Sequence, residues 1–333
     1  MKKVTIVDIA RVSGVSKSTV SRVLNGTAVV KPEKRQAVLE ATERLEFRPN
    51  AMASSLASGR SMTIGVLTQL MGTPFFDAIS QGVISQLNQT RYSPIFVDGQ
   101  WKTEVEIEAI RALLSRRVDA MVLIGGSIPG DQIDSLCAEV PTVIVARHVS
   151  GGKHRCIYMD NIKAGYVATK HLIAHGHTKI AIIKGHEHHD DAVDRLKGYQ
   201  QALNESNIIV DQRLIMEGDF SAESGRSAVT QLLEAEADFT AILAANDLTA
   251  FGARLELHQR GVDVPGEISI VGFDDQLESA YCTPPLTTVR QPAREMGQRA
   301  SEAVLDLLRG SDFESLAFEG KLIERASVAK PIS

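Results

Sequence analysis

The sequence predicts an N-terminal all-α helix-turn-helix head followed by a two-lobed α/β body in which each lobe is a doubly wound parallel sheet. Three observations carry this expectation. The first 60 residues read as short amphipathic helices. From residue 62 the texture changes to apolar runs alternating with helical stretches, and about 270 residues of that alternation exceed one sheet of ordinary size. Charge divides at the same place: residues 1–60 hold eleven Lys/Arg against five Asp/Glu, a net +6, so the rest carries −11 of the overall −5. A basic head on an acidic body points to an anionic partner for the head alone.

Thr5 is placed to cap the first helix, with Asp8 three residues on to complete a capping box. Ile6, Ile9 and Ala10 share a face. Gly14 interrupts, Ser16 caps again, and Val15, Val20, Val23 and Leu24 continue an apolar stripe until Asn25-Gly26 stops it. A third helix is expected from about Pro32 to Leu45, with Val38, Leu39, Ala41, Thr42 and Leu45 spaced for burial. "RPN" at 48–50 breaks it. "AMASSLAS" at 51–58 is shorter than the ~12–15 residues an isolated helix needs in water. It is therefore expected to order only against a partner, with Leu56 as a protruding apolar wedge of the kind that kinks DNA through the minor groove.

In the body, the runs 63–69, 93–99, 118–126, 141–147, 157–161, 179–185, 239–246 and 268–275 have the Val/Ile/Leu continuity of strands buried on both faces. Cys137, Cys156 and Cys282 are far apart and form no CxxC pair, so they read as buried thiols in a reducing compartment. "MKKVTIVDIARVSG" lacks the apolar core of a signal peptide, and no run of ~18 apolar residues occurs. A cytoplasmic protein without a membrane span is expected.

The second helix of the head carries the first functional signal. Lys17, Ser18, Ser21 and Arg22 project from it, and Ser16 and Thr19 lie beside them. Arg and Lys reach guanine edges in the major groove, and short hydroxyls reach bases or phosphates. A structural helix pair with a solvated face is the plainer alternative, and the filled helix-turn-helix positions weigh against it.

The stretches "VTIVDIARVSGVSKSTVSRVLNG", "RPNAMASSLASGRSMTIGVL", "PFF", "HLIAHGHTKIAII", "RLKGYQQAL", "AANDLTAFGA" and "ISIVGFDDQ…PPLTTVRQP" occur in the order and spacing of one family. Over essentially its whole length the sequence resembles the lactose/galactose repressor (LacI/GalR) family of transcriptional regulators. The resemblance implies a DNA-binding head at 1–47 and a hinge helix and linker at 48–61. It also implies a periplasmic-binding-protein-like body at 62–333, with lobe one about 62–160 and 292–320 and lobe two about 161–291 and 321–333. It further implies a homodimer on a near-palindromic double-stranded operator and a small molecule, usually a sugar or nucleobase, between the lobes; repression of a carbohydrate-utilisation operon under a small sugar-like effector is expected. Dimerisation is expected through helices near 75–90 and 102–116.

By the same resemblance Lys17, Ser18 and Arg22 match base-reading positions and Leu56 the minor-groove wedge. Thr5, Ser16, Thr19, Ser21, Asn25 and Asn50 complete the expected DNA-facing set. Phe75 and Phe76 match cleft aromatics, Arg195 a polar ligand contact, Phe220 an aromatic platform, and Asn246 and Asp274 hydrogen-bonding positions at strand ends. Gln69, Arg147, His189 and Asp190 complete the effector set. Ligands of open α/β sheets lie beyond the carboxyl ends of the strands, where these residues fall.

Other readings stand beside these. Phe76 also fits the core, Arg195 an ion pair across the cleft, and Asp275 a turn cap. Gly125-Gly126 reads as a strand-end turn or as space for a ligand. "GHEHHDD" at 185–191 has metal-ligand residue types, but its place beside the cleft favours ligand selection, and no metal or cofactor is expected. Ala146 stands where the family often has Asp or Asn. The chain ends at Ser333 without a leucine-heptad extension, so no tetramer-forming tail is expected. A nucleophile elbow and a Walker A loop are both missing, so an enzyme is not expected. A sugar-binding or sugar-acting protein without a DNA role is the alternative.

Overall fold

A computed structural model describes residues 4–25, 30–47, 59–149 and 154–332, and its contacts divide the chain into units of residues 1–61 and 62–333.

The first unit contains α1 (Ile6–Ser13), α2 (Lys17–Asn25) and α3 (Pro32–Arg44). The Asp8 carboxylate accepts from the Thr5 N–H at 3.0 Å and the Thr5 hydroxyl at 2.8 Å, which pins the start of α1. Gly14 ends it at φ 69°, the left-handed conformation that a residue without Cβ adopts most cheaply. The Ser16 hydroxyl then accepts from the Thr19 N–H at 3.3 Å to start α2. Ile9, Val20, Val38 and Ala41 form the buried centre, with Ala10, Val15, Val23, Leu24, Leu45 and Phe47 packed around them. Two sequence expectations fail: Ile6 is 39% exposed and Leu39 46%. At about 100° of rotation per residue, Val38, Ala41 and Leu45 share one face of α3, and Leu39 points off it. Ile6, in the first turn, lies outside the cluster that Ile9 fills.

The second unit holds two sheets. Lobe one begins with β1 (Thr63–Thr68), α4 (Pro74–Leu87), β2 (Ser93–Asp98), α5 (Thr103–Ser115), β3 (Ala120–Ile124), α6 (Gly130–Leu136), β4 (Thr142–Val145) and β5 (Cys156–Met159). Lobe two follows with α7 (Asn161–Ala174), β6 (Ile180–Ile183), α8 (Asp190–Glu205), β7 (Ile215–Met216), α9 (Ala222–Glu234), β8 (Ala241–Ala244), α10 (Asp247–Gln259), β9 (Ser269–Asp274), α11 (Leu277–Tyr281) and β10 (Thr287–Arg290). The chain returns to lobe one through α12 (Ala293–Leu308) and β11 (Leu316–Phe318), and ends in lobe two with β12 (Lys321–Ile323).

The strand orders are β2-β1-β3-β4-β5-β11 and β7-β6-β8-β9-β10-β12. Every pairing is parallel except β12 against β10. The buried runs AMVLI, IAII and AILA are the cores of β3, β6 and β8, covered on both faces by helices. Each of the eight expected strand runs overlaps one observed strand, although "IYMDN" misses Cys156 and gives up Asp160 and Asn161 to the start of α7. β7, β10, β11 and β12 carry no comparable signal. They are two to four residues long, and β10 is stabilised by polar contacts: the Thr288 hydroxyl donates to Asp247 at 2.6 Å, and the Thr287 N–H donates to Ser327 Oγ at 2.8 Å.

Cys137 and Cys156 are buried, whereas Cys282 is half-buried, and all three are free thiols. Among the described residues no helix is long and apolar enough to cross a membrane. The helices expected to offer apolar contact to a second copy offer little. α4 exposes Ile84, and α5 contributes no large exposed apolar side chain, because Ile107, Ile110, Leu113 and Leu114 pack into lobe one. Among the helices of the body the larger exposures are Leu255 on α10 and Leu277 and Tyr281 on α11, the last two 72% and 78% exposed.

Candidate functional site

The head presents one polar face. Lys17, Ser18 and Arg22 are exposed on α2, and its first turn holds no acid. The Ser16 hydroxyl lies 2.9 Å from the hydroxyls of both Ser18 and Thr19, so this trio is a bonded cluster at the helix start. Thr5 is exposed and tied to Asp8, Ser21 is half-buried, and Asn25 is the last residue of the helix. Asn50 and Leu56, with the whole segment 51–58, lie outside the described residues.

In the body, the candidate residues gather beyond the carboxyl ends of the strands. Backbone strain gathers there too. Leu70, Gln100, Trp101, Ala146 and Asp274 adopt positive φ (47°, 55°, 54°, 56° and 105°) just after β1, β2 and β4 and at the end of β9. Phe220, before α9, does so at 67°. Non-glycine residues in this region cost energy and persist where the surrounding structure over-determines them. Asp and Asn tolerate this conformation best, so Ala146 gives up both a hydrogen-bonding group and conformational ease.

Aromatic rings line the gap between the lobes. Phe75 and Phe76 meet edge to face at 5.2 Å, Phe76 meets Trp101 at 5.7 Å, and Trp101 stacks on His189 at 3.9 Å. His189 stacks in turn on Phe220 at 5.7 Å, with 19° between the planes. Phe75 and Phe76 also pack against the lobe-one core, so Phe76 serves both roles that its sequence position allows. The turn at Gly125-Gly126 makes room for them: a Cβ on Gly125 would lie 3.1 Å from Trp101 and 3.3 Å from both Gln69 and Phe76. Glu106, fully buried, accepts the Ser127 N–H at 3.0 Å and so fixes that turn. Gln69, also fully buried, accepts the Trp101 N–H at 2.7 Å, and its Nε2 has no hydrogen-bond partner.

Below the rings lies a polar cluster. Arg195 is 5% exposed. Its Nε donates to Asn161 Oδ1 at 2.9 Å, its Nη1 donates to the Ala245 carbonyl at 2.5 Å, and its guanidinium lies 4.4 Å from the Phe273 ring centroid. Asn161 Nδ2 donates to Asp191 at 2.9 Å. Burial pushes the Asp191 carboxyl up to about 6, against the pull of Arg195. Burial likewise raises Asp274, whose carboxylate accepts from Gln291 at 2.6 Å. Arg195 is thus a buried donor held by neutral groups within lobe two, not half of an ion pair across the cleft. α7 and α8 meet closely beside it, where a Cβ on Gly165 would lie 2.4 Å from the Arg195 carbonyl. Across the gap, Arg147 Nε lies 4.0 Å from Asp190 Oδ2, while its Nη1 donates to the Ile128 carbonyl at 2.7 Å.

Two residues act differently from their sequence reading. Asn246 is an N-cap: its Oδ1 accepts the Thr249 N–H and hydroxyl, each at 2.8 Å, and its Nδ2 donates to the Phe220 carbonyl at 3.0 Å. It holds Phe220 in place and keeps little free hydrogen-bonding capacity. Asp275 caps no turn; it is clamped between Arg290 at 2.6 Å and Arg325 at 2.5 Å. In the histidine loop, His186 and His188 are exposed, while burial draws the half-buried His189 down to about 4. A separate groove of about 620 Å³, lined by Cys137, His154 and Asp312 among others, contains none of the strand-end residues.

Sequence reasoning leaves Trp101 and Asn161 out of the site, and reaches Asp191 only as part of the loop 185–191. Trp101 is the single tryptophan of the chain and stands three residues past the end of β2, which is a usable signal. Asn161 reads in the sequence as the end of a strand.

Residues 5–50 match the family of bacterial regulatory proteins described as the lacI family, and residues 169–328 match a periplasmic binding protein-like domain. The HTH-type transcriptional regulator GalR of Escherichia coli (strain K12) is 38% identical over 330 residues, which span 98% of this chain and 96% of that relative. Among solved structures, the Lac repressor dimer bound to operator and the anti-inducer ONPF aligns with a TM-score of 0.89 at 30% identity, over 98% of this chain and 100% of that one. The transcriptional regulator CelR in complex with cellobiose aligns with a TM-score of 0.73 at 31% identity, over 98% and 100% of the two chains.

Proposed function

We propose a mechanism of repression from one premise: this chain belongs to the lacI family of bacterial regulatory proteins and is a sequence-specific DNA-binding transcriptional regulator, not an enzyme. In our reading the cytoplasmic homodimer holds two heads, 1–47, on a near-palindromic operator of a carbohydrate-utilisation operon. Residues 48–61 join each head to its body, 62–333.

The effector is a small sugar or sugar derivative bound between the lobes, and the aromatic rings of Phe75, Phe76, Trp101 and Phe220, gathered around His189, carry that reading. Aromatic faces cover the apolar face of a sugar ring, and Gln69, Arg147, Asp190, Asp191, Arg195 and Asp274 supply the few polar groups that such sites use to fix hydroxyls. CelR, a protein of similar architecture, is known in complex with cellobiose. Binding that favours one arrangement of the lobes shifts the population toward it, and the operator affinity of the dimer follows. On the head, Lys17, Ser18 and Arg22 read bases, while Thr5, Ser16, Thr19, Ser21, Asn25 and Asn50 meet the backbone and Leu56 enters the minor groove.

Calorimetric titration of the full-length protein with hexoses, pentoses and disaccharides tests the effector class. At least one sugar should bind the wild type and release no heat with Arg195→Ala. Silence across the whole panel would remove sugars as the effector class.

A further inference from the structure

The His189 imidazole lies between two other rings. Trp101 from lobe one stacks on it at 3.9 Å and 27°, and Phe220 from lobe two stacks on it at 5.7 Å and 19°. Each neighbour is inclined to the imidazole by less than 30°, and His189 is within stacking range of both. Ring contacts alone hold it: the exposed His186 ring meets it edge to face at 5.2 Å, and among the described residues neither ring nitrogen makes a hydrogen bond. Burial keeps the imidazole uncharged at neutral pH, so it sits there as a neutral planar ring.

The backbones of all three residues are fixed. The Trp101 backbone N–H donates to buried Gln69, the Phe220 carbonyl accepts from Asn246, and the His189 N–H donates to the His186 carbonyl at 3.0 Å. Phe220 also lies over Gly185, where a Cβ would come within 2.0 Å of its ring. His189 is the residue that leads into α8, with φ −96° and ψ 118°, an unstrained backbone. Rotation about χ1 alone can swing its ring out.

We propose that Trp101 and Phe220 are the two walls of a ring-binding slot, that His189 is its built-in occupant, and that an effector enters by displacing the imidazole. This rests on reading the cleft as the effector site. The slot selects for a ligand with a flat apolar face, because that is what it holds now. The polar cluster below it then reads the ligand's edge. With His189 in place the slot is also a contact between the lobes, so displacement exchanges a protein–protein stack for a protein–ligand one.

Trp101 is the sole tryptophan, so its fluorescence reports on the slot without a label. In full-length wild type, the Trp101 emission should be shielded from acrylamide. His189→Ala should expose it and leave the circular dichroism spectrum unchanged. Free imidazole added to His189→Ala should then change the emission saturably and restore the shielding. The same titration of wild type, or of His189→Ala/Phe220→Ala, should give only a weak, linear response. Exposed Trp101 in wild type overturns the proposal without any variant. A linear imidazole response in His189→Ala also overturns it.

D-Galactose and cellobiose, titrated separately, test the ligand. A sugar that fills the slot should compete with imidazole and bind His189→Ala roughly tenfold more tightly than wild type, because the internal competitor is gone. Weaker sugar binding by His189→Ala would mean that His189 is a ligand contact and not an occupant. Saturable imidazole binding that neither sugar displaces would leave the slot standing and count against sugars as its ligands.

Discussion

Asn161 joins Arg195 to Asp191: its amide oxygen accepts from the Arg195 guanidinium at 2.9 Å, and its amide nitrogen donates to the Asp191 carboxylate at 2.9 Å. A neutral side chain thereby orients a cation and an anion at once. Asn161→Ala should leave Arg195 with one fewer acceptor and free to turn. Loss of a buried partner costs about 1–3 kcal/mol. Sugar affinity by calorimetry should fall about tenfold, while operator affinity without sugar stays within about twofold of wild type.

Asp191 gives a signed pH dependence. Unfolded, its carboxyl titrates near 4; folded, burial lifts it to about 6. The neutral form favours folding, so this contribution is fully present below about pH 4 and is lost as pH rises through 6. Asp191→Asn cannot ionise. The melting temperature of Asp191→Asn minus that of wild type should therefore be larger at pH 7.5 than at pH 4.5, by the equivalent of about 2 kcal/mol. A difference independent of pH would show that the carboxyl is not held neutral. The variant comparison is needed because burial lowers His171, His177 and His189 and pushes the wild-type curve the other way.

The recognition surface makes a separate prediction. Arg22→Ala should cost about 1–3 kcal/mol of operator discrimination, the range for one bidentate base contact. Lys17→Ala and Ser18→Ala should change the preferred base. All three should leave sugar binding by the body untouched. Fluorescence anisotropy on operator and scrambled duplexes at one salt concentration measures this.

Leu277 and Tyr281 sit four residues apart on α11 and are the most exposed large apolar pair of the described lobe-two helices. Residues at this spacing lie on one helix face. Leu277→Asp/Tyr281→Asp should shift the sedimentation profile toward monomer and weaken operator binding by the loss of the second head. Ile84→Asp, on α4, should do so less. An unchanged profile for the α11 variant would move the dimer contact elsewhere.

The sequence made the head legible because its signals are local. Thr5-Asp8, Gly14 and Ser16 each act within a few residues of where they stand, and Ile9, Val20 and Val38 follow helical spacing. The long strands were legible for the same reason. The site was less so, because its decisive contacts are distant in sequence. Asp275 is claimed by Arg290 and Arg325, and Asn246 by Phe220, 26 residues away. Asp98-Gly99 marks a turn after β2, but nothing local announces that Gln100 and Trp101 both adopt left-handed φ, and periodicity says nothing about which loop of lobe two will meet Trp101. On α5, a pattern that suited an exposed apolar face is spent on packing inside lobe one.

The central claim is that a sugar between the lobes controls the hold of the heads on DNA. The most direct measurement is the operator affinity of the full-length protein with and without a sugar that binds its body, repeated with Arg195→Ala. The account predicts a change of roughly 5–150-fold in wild type and less than about twofold in Arg195→Ala. Equal operator affinity in wild type with and without the bound sugar would contradict it.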